Sequence, residues 1–268
     1  MGKLDNRTAI VSGSGRGIGR EIALKLAAEG ARVVVNDLDA GPAEDTAAAV
    51  RAIGGEAVTC VGSVTEDDFA QRFVDTALDA FGGLDIIVNN AGYYWNDLVE
   101  DMGDEQWDAI LDVNLRAPFR ILRAAQPVFR NNRVEHHRKV VTISSNAGLV
   151  GNERQVNYSS AKSGVVGLTK ALAREWGRYR VNVNSVAFGW ISTRLTEPAA
   201  VGSGSVIDVG GRTVSVGLRA GRADALLNTI PLGRAGTAEE AAGAVYLLCT
   251  PESDYISGQC LACDAGRN

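Results

Sequence analysis

Short runs of β-branched residues alternate with longer amphipathic stretches along the whole chain, and this alternation restricts the fold more than any single motif. The strand candidates are 8–12, 31–36, 57–61, 84–89, 139–144, 180–186 and 259–264, and helical spacing is visible over 17–29, 43–53, 66–81, 104–129, 156–176 and 238–248. Strand, helix, strand in regular order is the pattern of βα units wound around a parallel sheet. Seven strands suffice for a doubly wound sheet, so we expect an α/β protein of Rossmann type with helices on both faces. No composition shift marks a second domain, and open α/β sheets of 268 residues commonly form one, here 1–268. Thr237, followed three residues later by Glu240, gives the last helix a capping box.

The rhythm breaks over about 190–232, a Gly-rich stretch. Within it, 205–209 and 212–216 are β-rich runs that meet at Gly210-Gly211, the signature of a small hairpin inserted into the domain. A lid over the active site, an interface element and a passive surface insertion are all compatible with it.

Directly after the first strand come Gly13, Gly15, Arg16, Gly17, Ile18 and Gly19, opening a helix. Glycines let the chain turn tightly and approach a pyrophosphate, and the helix N-terminus offers free N–H groups to it. The second strand ends in Asn36-Asp37, a carboxylate at the distance expected for holding a ribose. Asp37 suits the two adenosine hydroxyls of NAD and repels the extra phosphate of NADP, whereas Arg16 in the glycine loop can attract that phosphate. NAD is the favoured cofactor, with NADP the alternative.

Tyr158-Ser159-Ser160-Ala161-Lys162 places Tyr and Lys on one helix face, and Ser144 and Ser145 follow the fifth strand at the carboxyl edge of the sheet. With these residues in this order the chain resembles the short-chain dehydrogenase/reductase family, in the subgroup that contains 3-oxoacyl carrier-protein reductases, over essentially its whole length. The glycine segment is similar to the family's Thr-Gly-x-x-x-Gly-x-Gly with Ser12 for Thr, and Asn89-Asn90-Ala91-Gly92 to its Asn-Asn-Ala-Gly. Asn114, Ser145, Tyr158 and Lys162 match its catalytic positions. Two positions depart: Ser63-Val64 stands where the family has Asp-Val, and Phe188-Gly189 where it has Pro-Gly. The resemblance implies that Lys162 also binds the nicotinamide ribose, that Asn114 helps hold a relay water, and that the protein is a homotetramer or homodimer. It places the Tyr158 helix and the final helix and strand at the interfaces. The expected cofactor contacts are Gly13, Arg16, Gly17, Ile18, Gly19, Asp37, Ser63, Val64, Asn90, Ala91, Gly92 and Ile191, together with Tyr158 and Lys162.

The chemistry is consistent with that assignment. Oxidising an alcohol removes a hydroxyl proton as hydride leaves the same carbon, and a tyrosine with pKa about 10 is too weak a base near neutrality. The ammonium of Lys162 and the positive nicotinamide are expected to depress it, while Ser145 holds the substrate oxygen. The expected function is hydride transfer between a nicotinamide cofactor and a secondary alcohol or ketone, with a 3-oxoacyl thioester as one substrate alternative. A non-catalytic NAD sensor on the same fold is the competing class. Tyr93-Tyr94-Trp95, Phe188 and Trp190 either line an apolar substrate pocket or only pack.

A net charge of −5 argues against a nucleic-acid partner. No apolar run is long enough to span a bilayer and the first residues lead straight into a strand, so a cytoplasmic location is expected. Cys60, Cys249, Cys260 and Cys263 are too few for a disulfide framework. The Cys260-x-x-Cys263 spacing is read as buried strand cysteines rather than a redox or metal pair, and no metal site is expected. His136 and His137, in the polar stretch 131–139, are read as part of a solvated loop.

Overall fold

The structure, a computed structural model, describes residues 2–131, 134–193, 196, 205–209, 211–217 and 222–267. Its centre is one seven-stranded parallel sheet. The strands are β1 (Thr8–Val11), β2 (Arg32–Val35), β3 (Ala57–Thr59), β4 (Ile86–Asn89), β5 (Arg138–Ser145), β6 (Val181–Phe188) and, last in the chain, β9 (Cys260–Cys263). They lie in the order β3-β2-β1-β4-β5-β6-β9, so the winding direction reverses between β1 and β4. Ile10 on β1 sits opposite Val34 on one side and Ile87 on the other.

Strands covered on both faces are apolar at successive positions, as Thr8 to Val11 and Ile86 to Asn89 are buried throughout. Successive side chains point to opposite faces. Ala9 and Val11 therefore join one core with α1 (Gly17–Ala28), α2 (Ala40–Ala52) and α9 (Ala238–Leu247). Ile10 joins the other, with α3 (Phe69–Phe81), α5 (Ala117–Asn131) and α7 (Val156–Trp176). The capping box of α9 is formed: Thr237 Oγ1 accepts from Glu240 N at 3.2 Å and Glu240 Oε2 from Thr237 N at 2.9 Å.

Three expectations need correction. The single helix read over 104–129 is α4 (Asp104–Leu111), a π-helical turn at Asp112–Arg116, and α5. At that turn the amide of Asn114 donates to Ile110 O, the carbonyl an α-helical N–H of Asn114 would use, and the helix widens by one residue. His136 and His137 are not simply solvated. His136 Nε2 pairs with Asp85 Oδ1 at 2.6 Å, Arg7 lies 2.9 Å from its Nδ1, and His137 Nδ1 pairs with Asn182 Oδ1 at 3.0 Å. Of the cysteines, Cys60 and Cys249 are buried but Cys260 and Cys263 are partly exposed. Residues three apart on β9 face opposite sides of the sheet, which separates the Cys-x-x-Cys thiols.

The hairpin is present: β7 (Ser205–Val209) pairs antiparallel with β8 (Arg212–Val216), Val209 opposite Arg212, and Gly211 has φ +84°. Gly210 and the rest of the 190–232 expectation at 194–195, 197–204 and 218–221 lie outside the described residues. Two short helices, α6 (Ala147–Val150) and α8 (Arg222–Leu227), had no sequence signal. No helix among the described residues is long and apolar enough to cross a membrane.

Candidate active site

The reversal of strand order opens a cleft of about 350 Å³ at the carboxyl ends of β1 and β4. Every residue named above as a catalytic or cofactor position lines it, from Gly13, Arg16, Gly17, Ile18 and Gly19 through Asp37, Ser63, Val64, Asn90, Ala91, Gly92 and Asn114 to Ser145, Tyr158, Lys162 and Ile191.

Hydrogen bonds between loops fix its floor. Ser12 Oγ accepts from Asn90 N at 3.0 Å and Ala91 N at 3.1 Å, so the hydroxyl that replaces the family's threonine ties the two turns together. Asn90 returns the tie by donating its amide to Ser12 O and Gly13 O. Gly13 has φ +61°, and a Cβ there would lie 2.8 Å from Ala91 Cα; a Cβ on Gly19 would lie 2.1 Å from Gly13 O. Only glycine allows these approaches. Asn36, which the sequence reading passed over, clamps the same region: its Oδ1 accepts from Gly13 N at 3.0 Å and its amide donates to Cys60 O and Gly62 O. Arg16 at the start of α1 makes no side-chain cap, which leaves the first-turn N–H groups available to an anion.

At one end of the cleft Asp37 is buried, and its Oδ1 accepts from Asp39 N at 3.1 Å. Arg16 is ion-paired with Asp39 at 2.8 Å. Asp39 had no place in the sequence reading, although its position two residues past Asp37 was the available signal. Ser63 Oγ lies 2.8 Å from Thr65 Oγ1 and its N–H donates to Glu66.

At the other end β5 delivers Ser145 and α7 delivers Tyr158 and Lys162 one turn apart. Ser144 Oγ donates to Lys162 O at 2.9 Å, pinning α7 to β5. The Ser145 hydroxyl and Tyr158 line the same end of the cleft, and Lys162 Nζ lies 5.5 Å from the Tyr158 ring centre. Nζ donates to Ile143 O at 2.8 Å. Asn114 donates to Tyr93 O and Ile110 O, while its buried Oδ1 has no partner among the described residues. A Cβ on Gly92 would lie 2.4 Å from that oxygen and 3.6 Å from Lys162 Nζ, so both groups face Gly92.

The electrostatics of the protein's own groups run against the expected depression of Tyr158. Burial pushes its pKa up to about 12, with the Ser145 hydrogen bond pulling the other way and Tyr94 adding to the rise. Burial pushes Lys162 down to about 7. Desolvation disfavours the charged form of each. The tyrosine is thereby held protonated.

Comparisons with known proteins agree with this geometry. A family model described as enoyl-(acyl carrier protein) reductase matches residues 13–268. A 3-oxoacyl-[acyl-carrier-protein] reductase of Synechocystis sp. is 37% identical over 268 residues, covering 99% of this chain and 98% of its own. The chain belongs to the short-chain dehydrogenase/reductase family. Within that family it is also 37% identical to the short-chain reductase protein NovJ of Streptomyces niveus, over 97% of this chain and 93% of its own. A dehydrogenase/reductase from Sinorhizobium meliloti 1021 matches its structure with a TM-score of 0.84 at 31% identity, covering 99% of this chain and 96% of the other. As a short-chain dehydrogenase/reductase, the protein is an oxidoreductase that moves hydride between a nicotinamide cofactor and an alcohol or ketone.

Proposed function

We propose that the protein is an NADH-dependent ketone reductase in which Ser145 and Tyr158 touch the carbonyl oxygen. The observation that carries this reading is Ser145 and Tyr158 brought to one end of the cleft beside the buried Lys162, whose Nζ lies 5.5 Å from the Tyr158 ring centre.

The cleft fits a nicotinamide dinucleotide. Gly13, Gly17 and Gly19 leave backbone room beside Ile18, and the uncapped start of α1 suits a pyrophosphate. Asp37 would accept from ribose hydroxyls, and Ser63 and Val64 would flank the adenine. Asn90, Ala91, Gly92 and Ile191 form the wall at the nicotinamide end. Lys162 and the unpartnered Asn114 Oδ1 supply polar groups there. The reduced cofactor, when bound, supplies hydride to the carbonyl carbon. Ser145 donates a hydrogen bond to the carbonyl oxygen and fixes its position. Tyr158 gives that oxygen its proton as the carbonyl becomes an alcohol, and Lys162 in its charged form stabilises the tyrosinate left behind. Asn114 Oδ1 accepts a hydrogen bond from the water through which a proton returns. Alcohol oxidation is the same sequence reversed.

NAD is preferred over NADP in this reading because the Arg16 charge is already engaged. An added phosphate meets the Asp37 and Asp39 carboxylates with one guanidinium between them. The names of the relatives favour a second substrate reading, a 3-oxoacyl thioester, within the same chemistry. Assembly as a homotetramer or homodimer is supported by Leu247 on α9, Leu261 on edge strand β9, and Tyr255 and Ile256 between them, all exposed.

The test follows cofactor absorbance with NADH and NADPH over a panel of ketones, 3-oxoacyl thioesters and enoyl thioesters. Oxidation of NADH with a ketone or 3-oxoacyl thioester is expected. Cofactor binding with no turnover across the panel would instead indicate a sensor, and turnover of enoyl thioesters alone would move the chemistry to a carbon–carbon double bond.

A further inference from the structure

The inserted hairpin is bonded to an aromatic residue at the proton-transfer end of the cleft. Gly217, directly after β8, donates its N–H to the hydroxyl of Tyr94 at 3.0 Å. Gly217 has φ +104°, a backbone conformation that aims this N–H and suits only glycine. The Tyr94 ring meets the Tyr158 ring edge to face, centres 6.2 Å apart. On β8, Val214 is fully buried in the core cluster that contains Tyr93, with Tyr94, Trp95 and Tyr158 packed against it, while its neighbour Thr213 is exposed. Val214 thus packs inward, and Tyr94 touches both the insertion and the catalytic tyrosine. A passive surface loop needs neither a buried valine nor a bond to a cleft residue.

The size of the cleft indicates what this contact does. Roughly 300–1,000 Å³ is the range of ordinary small-molecule pockets, and about 350 Å³ here runs from Arg16 and Asp39 to Tyr94 and Ile191. That space serves cofactor and substrate together. Its substrate end is walled by Tyr93, Tyr94, Val113, Phe188 and Ile191, aromatic and aliphatic groups that suit an apolar chain and offer no charge to a charged one.

Resting on the reductase reading above, we propose that Tyr94 is a specificity-determining residue that forms the end wall of the substrate site and is latched there by the β7–β8 hairpin. The latched wall selects compact, apolar, uncharged ketones over long acyl chains. The Tyr94 hydroxyl holds the wall, and the Tyr94 ring sets how closely a substituent on the ketone approaches Tyr158.

The experiment uses the full-length protein and a series of unbranched methyl ketones of increasing length, with a matching series of 3-oxoacyl thioesters. Steady-state constants are measured for the parent, Tyr94→Phe, which removes only the latching hydroxyl, and Val214→Asp, which expels the hairpin from its apolar seat. In the parent, KM should rise steeply with chain length. In both variants the KM ratio of longest to shortest ketone should fall by about tenfold, the equivalent of one lost hydrogen bond, with cofactor Kd unmoved and the change lying in KM more than kcat. Should Val214→Asp fail to fold, Gly217→Ala strains the positive φ without touching the cleft and carries the same expectation. An identical length profile in parent and variants would overturn the proposal while leaving the reductase reading intact. A parent that turns over no carbonyl in either series would overturn both.

Discussion

Two lysines are buried at opposite ends of strand β5 and live in different company. Lys139, near its start, donates to Asn182 Oδ1 at 3.1 Å, Ser253 Oγ at 3.1 Å and Asp254 Oδ1 at 2.6 Å. Lys162, beside its end, has one backbone carbonyl and no carboxylate among the described residues, and burial pushes it down to about 7. The buried Lys139 and Asp85 at the amino edge are thus paired, Asp85 with His136 and Thr8 N near the buried Arg138, although Thr8 Oγ1 and Arg32 Nε at the same edge have no partner among the described residues. The carboxyl edge leaves Asn114 Oδ1 without a partner among the described residues and Lys162 with a carbonyl alone. Buried polar groups with full hydrogen bonding hold a fold together, whereas a group left unsatisfied is costly and is retained where a ligand completes it.

The sharpest test of that contrast is Tyr158→Phe, which removes the proton donor and leaves the ring. Turnover should fall by about two to four powers of ten, with cofactor affinity measured by fluorescence titration nearly unchanged. Residual activity near that of the parent would remove the carboxyl edge from the chemistry. Next comes Lys139→Ala at the other edge. Leaving its buried partners unsatisfied should cost about 2–3 kcal/mol in denaturant unfolding, less than a wholly buried pair because Asp254 is partly exposed. Activity per folded molecule should stay at the parent value; a loss of kcat without loss of stability would break the comparison.

The Arg16–Asp39 pair lies inside the cleft yet is satisfied like an amino-edge group, so it sharpens the rule. The parent should prefer NAD by about a hundredfold in kcat/KM, because two charge-assisted hydrogen bonds from Asp37 and one repulsion separate the cofactors. Asp37→Ala should reverse much of this, and Asp39→Ala, which frees Arg16, should raise efficiency with NADP by about tenfold. A parent preferring NADP would show that the guanidinium acts despite its pairing.

The smallest effect is a pH slope. Lys162 carries its charge below about pH 7 and loses it above, so kcat/KM for ketone reduction should fall above pH 7, at most about tenfold per unit, with no such inflection in Lys162→Met. Stability moves the other way. With its folded pKa lowered, the folded protein binds fewer protons than the unfolded chain between about 7 and the ordinary lysine value. Lys162 therefore adds to the unfolding free energy as pH rises across that window, opposed above about pH 9 by the buried thiols whose pKa values are raised, so the parent should gain on the Met variant with rising pH.

The sheet and the cleft residues were legible because each leaves a local trace: β-branched runs for strands, glycines where backbones touch, and Tyr and Lys at helical spacing. Features that depend on distant partners left none. Asn36 and Asp39 act on loops brought beside them only by the sheet. His136 and His137 sit in a polar stretch that reads as solvated until Asp85 and Asn182 arrive from other strands. The pull of the protein's own groups on Tyr158 left no trace for a related reason. Adjacency to a lysine is visible in sequence, but the burial that raises the tyrosine's pKa belongs to the assembled cleft.

The π-helical turn at Asp112–Arg116 sets a phase. Each residue of an α-helix advances about 100° around the axis, so one extra residue in a turn rotates everything beyond it by that angle relative to a regular helix. The apolar stripe of α4 and that of α5, with Ile121, Leu122, Ala125 and Phe129 buried, both face the protein only because the widened turn re-indexes the second against the first. Shortening the turn by one residue would swing the α5 stripe toward solvent and carry Asn114 off its line to Gly92. The orientation of one amide in the cleft and the burial of a helix face on the far side of the same segment are thus set by a single count of residues.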